Sequence, residues 1–154
     1  MESRMGLMNS SPDREIVSTR VVNATREIVF RAWAEPDHLK NWWGPKGYTC
    51  TFNEFDLRPG GKWSFIMHSP NKVHYPNECV FVEVSQPELI AWNHNSYPKF
   101  QVVALFEEIS NDRTKVTFKM LFSTPEECSK AKVYAVEKNE ENFDRLEAEL
   151  TTMA

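Results

Sequence analysis

The stretch Trp42-Trp43-Gly44-Pro45-Lys46-Gly47, with Asp56-Leu57-Arg58-Pro59-Gly60-Gly61-Lys62-Trp63 after it, decides the fold of this chain. Proline keeps the residue before it out of the helical conformation, so the paired tryptophans are predicted to lie at a helix end. The second stretch is typical of a strand, a tight turn and a strand, because proline presets the turn and glycine allows positive φ. Together the two stretches predict bulky aromatic side chains beside a β-hairpin.

Before the paired tryptophans, the sequence predicts one strand and two short helices. Residues 15–22 alternate and are rich in β-branched side chains, which is typical of a strand. Thr25 is the expected N-cap of the first helix. Pro36 ends that helix and begins a second one over residues 36–43. The apolar face of the first helix consists of Ile28, Val29, Ala32 and Trp33.

After the paired tryptophans, six further strands follow at the spacing of an antiparallel meander. The sequence predicts them at residues 48–57, 62–68, 77–84, 89–95, 100–109 and 115–122. Apolar and polar residues alternate along several of them, which buries one face and leaves the other in water. The clearest inward-facing sets are Val116, Phe118, Met120 and Phe122 on the last strand and Trp63, Phe65 and Met67 near the hairpin.

A long C-terminal helix is predicted to cover the apolar face of these strands. Thr124 and Glu127 form a capping box with Pro125 at the first helical position, and neither proline nor glycine follows. We expect a helix of about 25 residues. Asn139 falls on its apolar stripe, either as a solvated or backbone-bonded residue or as a polar group that orients a ligand in a cavity. The apolar residues of that stripe are Val136, Phe143, Leu146, Leu150 and Met153.

Composition indicates one domain over residues 13–154, preceded by a mobile tail over residues 1–12 that lacks the apolar stretch of a signal peptide. Hydrophobic residues make up 41% and charged residues 26% of the 154, and no apolar run suits membrane insertion. The net charge of -4 and scattered basic residues argue against nucleic acid as a partner. Three distant cysteines, Cys50, Cys79 and Cys128, indicate reduced thiols and a cytoplasmic location.

Catalytic motifs are missing from the sequence. His38, His68, His74 and His94 lie apart, so no metal site is expected, and neither a nucleophile elbow nor a nucleotide-binding loop is present. We therefore predict no cofactor and assign no catalytic residue. Glu54, Asp56, His68, Glu78 or His94 could still turn inward, where a buried carboxylate would have a raised pKa suited to acid–base chemistry. Alternatively, Asp56 and Arg58 bond each other to hold the hairpin and Glu78 satisfies a neighbour.

The order of elements and several motifs resemble the helix-grip fold of the START-like (SRPBCC) superfamily, in the branch named for the activator of heat shock protein 90 ATPase. The resemblance runs from about Glu15 to Leu150 and includes both stretches quoted above. Further matches are Phe30-Arg31-Ala32-Trp33, Tyr75-Pro76-Asn77-Glu78 and Phe143-Asp144-Arg145-Leu146. It implies an α+β fold in which a curved antiparallel sheet of about seven strands wraps around the long C-terminal helix, with two short helices between the first two strands. Members of this branch commonly carry Gly-Trp where this chain has Lys138 and Asn139, which implies a more polar cavity here.

The resemblance implies a domain that binds a hydrophobic, lipid-like or aromatic small molecule. We expect a monomer or a homodimer, and the absence of a catalytic motif favours binding over enzymatic activity. Two alternatives stay open: a chaperone-associated stress-response module, and a cyclase- or dehydratase-like enzyme that uses a cavity carboxylate or histidine. Trp42 is expected at the cavity mouth. The candidate ligand-binding residues are Trp42, Trp43, Trp63, Phe65, Met67, Glu78, Phe118, Met120, Asn139 and Phe143.

Overall fold

The boundaries of the helices and strands follow the local sequence signals closely. The computed structural model describes residues 6–9 and 11–153. Its elements are β1 (Glu15–Val22), α1 (Arg26–Ala34), α2 (Pro36–Trp42), β2 (Thr49–Phe55), β3 (Lys62–His68), β4 (His74–Ser85), β5 (Leu89–His94), β6 (Phe100–Ser110), β7 (Arg113–Leu121) and α3 (Pro125–Met153). The predicted start of β4 was three residues late, because the strand continues its pairing with β3 through Tyr75 and His74.

The seven strands form one antiparallel sheet in the order β1-β7-β6-β5-β4-β3-β2. All neighbours except β1 and β7 are consecutive in sequence, as in a meander. The sheet curves around α3, and α1 and α2 follow the first strand. This arrangement confirms the predicted helix-grip fold. No helix among residues 6–9 and 11–153 combines the length and apolar character that crossing a membrane requires.

The hairpin between β2 and β3 is built on its two glycines. Gly60 donates its N–H to the Phe81 carbonyl, and Phe81 donates back to the carbonyl of Gly61. Arg58 Nε donates to Asp56 Oδ2 at 2.8 Å, which confirms that these two side chains bond each other. The hairpin is therefore attached to β4 through backbone hydrogen bonds on both sides of Phe81.

A bulge in β2 corrects the expectation that Glu54 faces inward. The pairing with β3 shifts between Phe52 and Glu54, so Asn53 is the extra residue. One extra residue reverses the alternation beyond it. Phe52 and Phe55 consequently stack at 5.9 Å between ring centres, while Glu54 is exposed.

Helix α3 begins and runs as its capping signal predicts, over 29 residues. Thr124 Oγ1 accepts the backbone N–H of Glu127 at 3.2 Å. Val136 is an error in the predicted stripe, because it is 45% exposed and Ala135 takes the buried position instead. A period of 3.6 residues makes Ala135, four residues before Asn139, the member that faces the sheet. The buried residues of the helix are Cys128, Ala131, Ala135, Phe143, Leu146 and Leu150.

Part of the predicted N-terminal tail lies against the outer face of the sheet. Met8 donates its N–H to Gln101 Oε1, and Gln101 Nε2 donates to the Gly6 carbonyl, both at 2.8 Å. Leu7 and Met8 pack on a small cluster that includes Leu89. Residues 1–5 and 10 are outside the described part of the chain, and the mobility of the tail stays a prediction.

Candidate ligand-binding site

A cavity of about 200 Å³ lies between the inner face of the sheet and α3. Strands β5, β6 and β7 contribute Trp92, Val102 and Phe118 to its wall, and Trp43 closes it from the end of α2. Because the strands alternate, the same apolar faces that form the core continue as this wall. We call this space the inner compartment.

A second space of about 590 Å³ adjoins the inner compartment and shares Met67, His94 and Met120 with it. We call it the outer compartment. It reaches solvent, because Tyr97 in its wall is 88% exposed. All four tyrosines of the chain line it. They are Tyr48, Tyr75, Tyr97 and Tyr134.

The loop after the paired tryptophans forms one wall of both compartments, and α3 holds it in place. Arg145 Nη1 donates to the carbonyls of Gly44 at 2.9 Å and Pro45 at 3.0 Å, and its Nη2 donates to the Asn41 carbonyl at 3.1 Å. Asn142 Nδ2 donates to the Trp42 carbonyl at 2.8 Å. Burial lowers the pKa of Arg145 from its usual value. The bonds to Asn41 and Trp42 satisfy carbonyls that the end of α2 leaves without helical partners, and the other two hold the loop that follows.

Replacing Arg145 with methionine is expected to lower the free energy of unfolding by about 2 kcal/mol, because the loop carbonyls lose their charged donor. Urea unfolding followed by tryptophan fluorescence measures the change. Arg31→Met is the matched control: Arg31 pairs with Glu35 on the exposed face of α1, so its removal should cost less than about 0.5 kcal/mol. Equal losses in the two variants would show that Arg145 does not hold the loop.

His94 is the buried titratable side chain of the inner compartment. Its ring stacks on Phe100, with 4.6 Å between the ring centres. Nδ1 donates to the Pro98 carbonyl at 2.9 Å, and Nε2 lies 2.6 Å from Asn77 Oδ1. Burial lowers the pKa of His94 below its usual 6.5, and hydrogen bonds with the backbone of Pro98 and Ser96 oppose this shift.

Asn139 brings an amide group to the boundary of the inner compartment. It is half-buried on α3, and its Nδ2 donates a hydrogen bond to Ser18 Oγ at 3.3 Å. The same nitrogen lies 3.6 Å from Met120 Sδ. Asn139 also borders a narrow crevice beside Trp42. An amide here leaves open the space that a larger side chain would fill.

The structure brings together half of the candidate ligand-binding residues. The inner compartment is lined by Trp43, Met67, Phe118, Met120 and Asn139. Trp42 and Phe143 border only the narrow crevice, and Trp42, at 1% exposed, lies in the core rather than at the cavity mouth. Its indole N–H donates to the Ala32 carbonyl at 3.0 Å, since α2 turns this side chain back toward α1. Trp63, Phe65 and Glu78 lie outside both compartments.

The candidate acid–base residues are likewise divided between the cavity and the protein surface. Glu54 and Glu78 are exposed, and Glu78 accepts a hydrogen bond from Ser64 at 2.6 Å. Of the proposed acid–base groups, only His94 lines the cavity. Within the described residues, no three histidine, cysteine or acidic side chains lie close enough to hold a metal ion.

The sequence did not establish that several of the lining residues meet in one cavity. Asn77, His94 and Lys138 come from two strands and a helix far apart in the chain, and only the register of β4 with β5 and the rotation of α3 bring them together. Tyr48 and Tyr97 belong to loops. Period-2 alternation identifies the inward face of a strand, but it carries no information on loop positions.

The fold and the cavity define a helix-grip domain with an internal space under its long helix. The family model "Activator of Hsp90 ATPase homolog 1-like protein" matches residues 23–151, and the chain belongs to this family. No curated protein matches the chain.

Solved structures share the fold at low sequence identity. A protein from Nitrosomonas europaea superposes with a TM-score of 0.86 at 21% identity, covering 96% of this chain and 100% of that one. A protein from Arthrobacter aurescens gives 0.84 at 19% identity, covering 97% and 93% respectively. The AHSA1 protein from Silicibacter pomeroyi gives 0.73 at 16% identity, covering 91% and 99%. The likeness extends over nearly the whole length of each chain.

Proposed function

We propose that this protein binds a small hydrophobic molecule, aromatic or lipid-like, in the inner compartment. The supporting observation is a cavity of about 200 Å³ whose wall includes Trp43, Trp92, Val102 and Phe118. Ligand pockets are typically concave and apolar with a few polar groups that fix orientation. Asn77, His94 and Asn139 are such groups here. The adjoining outer compartment gives a ligand its route from solvent.

Packing around the inner compartment supports a preformed site. The Trp43 ring lies 5.7 Å from that of Trp92 and 6.2 Å from that of Phe118, so the aromatic side chains hold one another in place. The carbonyl of Trp43 accepts a hydrogen bond from Cys50 Sγ at 3.3 Å. A wall that is ordered before binding lowers the entropic cost of holding a ligand.

Two uncharged probes test this function, 1-naphthaleneacetamide and 1-decanol, by isothermal titration calorimetry and thermal unfolding. We expect saturable one-to-one binding with a Kd on the order of micromolar. Stabilisation should grow with probe concentration, by about 2.7 kcal/mol at a hundredfold excess over Kd. Triethylene glycol, a polar molecule of similar length, should produce neither effect. Absence of saturable binding by both hydrophobic probes would refute the proposal.

Two further assignments accompany this function. We place the protein in the cytoplasm, because Cys50, Cys79 and Cys128 are unpaired. Unpaired thiols persist in reducing compartments. A chaperone partner rests on the family description alone, and an Hsp90 ATPase assay with the purified chain tests it directly.

A further inference from the structure

The charges around the two compartments are unbalanced. Among the described residues that line them, Lys138 is the only one with a permanent charge, and none is an aspartate or a glutamate. Burial lowers the pKa of the other basic side chain of the lining, His94. A cleft lined by one sign of charge attracts the opposite sign. The local excess is positive, although the whole chain carries a net charge of -4.

Lys138 lies where the outer compartment meets α3, between two aromatic rings. Its Nζ is 5.7 Å from the ring centre of Tyr48 and 5.5 Å from that of Tyr134. Contacts at this distance between an ammonium group and an aromatic face are favourable, and they restrict where the lysine head can go. The ammonium group is therefore directed toward the compartment rather than spread over the helix surface.

The ammonium group has no carboxylate within 4 Å among the described residues, although acidic residues are frequent on α3. Glu141, one turn further along the helix, accepts the backbone N–H of Lys46 at 3.1 Å instead. Glu140, Asp144 and Glu147 pair with Arg20 on the opposite side of the helix. Glu141 and the three carboxylates bound to Arg20 thus have other partners, and the charge of Lys138 stays available to a ligand.

The remaining polar groups around the mouth can also serve an anion. Tyr75 and Tyr97 are 48% and 88% exposed, and each carries a hydroxyl that can donate a hydrogen bond. Aromatic rings grouped around an opening could instead receive a cationic ligand. Here Lys138 already occupies the faces of Tyr48 and Tyr134, and its charge repels a second cation.

We propose that the ligand is an amphipathic anion whose apolar body fills the inner compartment and whose carboxylate lies against Lys138 at the mouth. This inference rests on the proposed binding function and narrows its ligand to aromatic or alkyl carboxylates. The carboxylate remains half-solvated at this position, which avoids the full cost of moving a charge out of water.

Three probes with the same ring test the inference: 1-naphthaleneacetate, 1-naphthaleneacetamide and 2-(1-naphthyl)ethylamine, which are anionic, neutral and cationic at pH 7. At low salt we expect the acetate to bind about three- to tenfold more tightly than the amide, and the amine most weakly. Added salt should weaken binding of the acetate and leave the affinity for the amide unchanged, since screening acts on the charge alone.

Two variants test whether Lys138 causes the preference for the acetate over the amide. Lys138→Met keeps an apolar stem and is expected to give equal affinities for acetate and amide. Lys138→Glu is expected to favour the amine. Lys132→Met is the matched control, because Lys132 is an exposed lysine of the same helix outside both compartments. It should keep the wild-type order of affinities.

The outcomes separate this inference from the proposed function. Equal binding of acetate and amide by the wild type would overturn the inference and leave the binding function in place. A preference that survives in Lys138→Met, or that is lost equally in Lys132→Met, would also overturn it. If none of the three probes binds, the inference fails, and the proposed function fails with it only when 1-decanol does not bind either.

Discussion

The substitution Asn139→Trp is expected to weaken the binding of 1-naphthaleneacetamide at least about tenfold, equivalent to about 1.4 kcal/mol. Asn139 is half-buried and borders both the inner compartment and the narrow crevice beside Trp42. An indole is far larger than the amide, and the crevice, at about 10 Å³, is too small to take it. Its entry into the inner compartment removes volume that the probe needs. Isothermal titration calorimetry of Asn139→Trp against the wild type measures the loss.

Val136→Trp is the matched control for this substitution. Val136 lies on the same helix, is 45% exposed and lines neither compartment. The Val136→Trp variant should bind the probe as the wild type does. Urea unfolding of both variants tests that the fold is intact, since loss of the Asn139 bond to Ser18 should cost only about 1 kcal/mol. Undiminished binding by a folded Asn139→Trp variant would place the ligand elsewhere.

Gly61→Ala is expected to lower the free energy of unfolding by about 2–4 kcal/mol, through a steric clash and the loss of hairpin hydrogen bonds. A Cβ at this position would lie 1.9 Å from the Asp56 carbonyl oxygen and 3.0 Å from that of Arg58. Both obstacles are backbone atoms that hold the turn, so neither can rotate away. Relief requires the hairpin to open and to release its bonds to Phe81. Urea unfolding followed by tryptophan fluorescence measures the loss.

Gly60→Ala separates this clash from the conformational effect of losing a glycine. Gly60 has φ of +83°, and a Cβ added there would meet no atom within 4 Å beyond its chain neighbours, so alanine should cost only about 1 kcal/mol. Denaturation midpoints and slopes of the two variants give the comparison. Similar losses at positions 60 and 61 would contradict the tight approach of the chain at Gly61.

The fold was accessible from sequence because its signals are local. Alternation in β3 and β7, the caps at Thr25 and Thr124 and the prolines at helix starts all act within a few residues. The errors in the predicted elements arise where the structure depends on contacts between residues distant in sequence. The bulge at Asn53 shifts the register of β2 without a distinctive residue, and the choice of Ala135 over Val136 depends on how α3 is rotated against the sheet.

The candidate site was only partly accessible from sequence for a related reason. Strand faces identify Met67, Phe118 and Met120 as inward-facing, and they line the cavity. Whether an inward residue meets the core or the cavity depends on how closely the elements above it approach. Trp42 and Trp43 are adjacent, yet one bonds Ala32 in the core and the other lines the inner compartment. The different positions of the two tryptophans follow from the path of α2 and from the hydrogen bonds between Arg145 and the loop after α2.

The measurement that tests binding in the inner compartment most directly is the set of indole N–H signals in a ¹H–¹⁵N NMR titration with 1-naphthaleneacetamide. The chain has five tryptophans, assignable through single substitutions to phenylalanine. Trp43 and Trp92 line the inner compartment, whereas Trp42 donates its indole N–H to Ala32 in the core. The account predicts saturable shifts for Trp43 and Trp92 that clearly exceed the shift of Trp42. Unchanged Trp43 and Trp92 signals at saturating probe would contradict it.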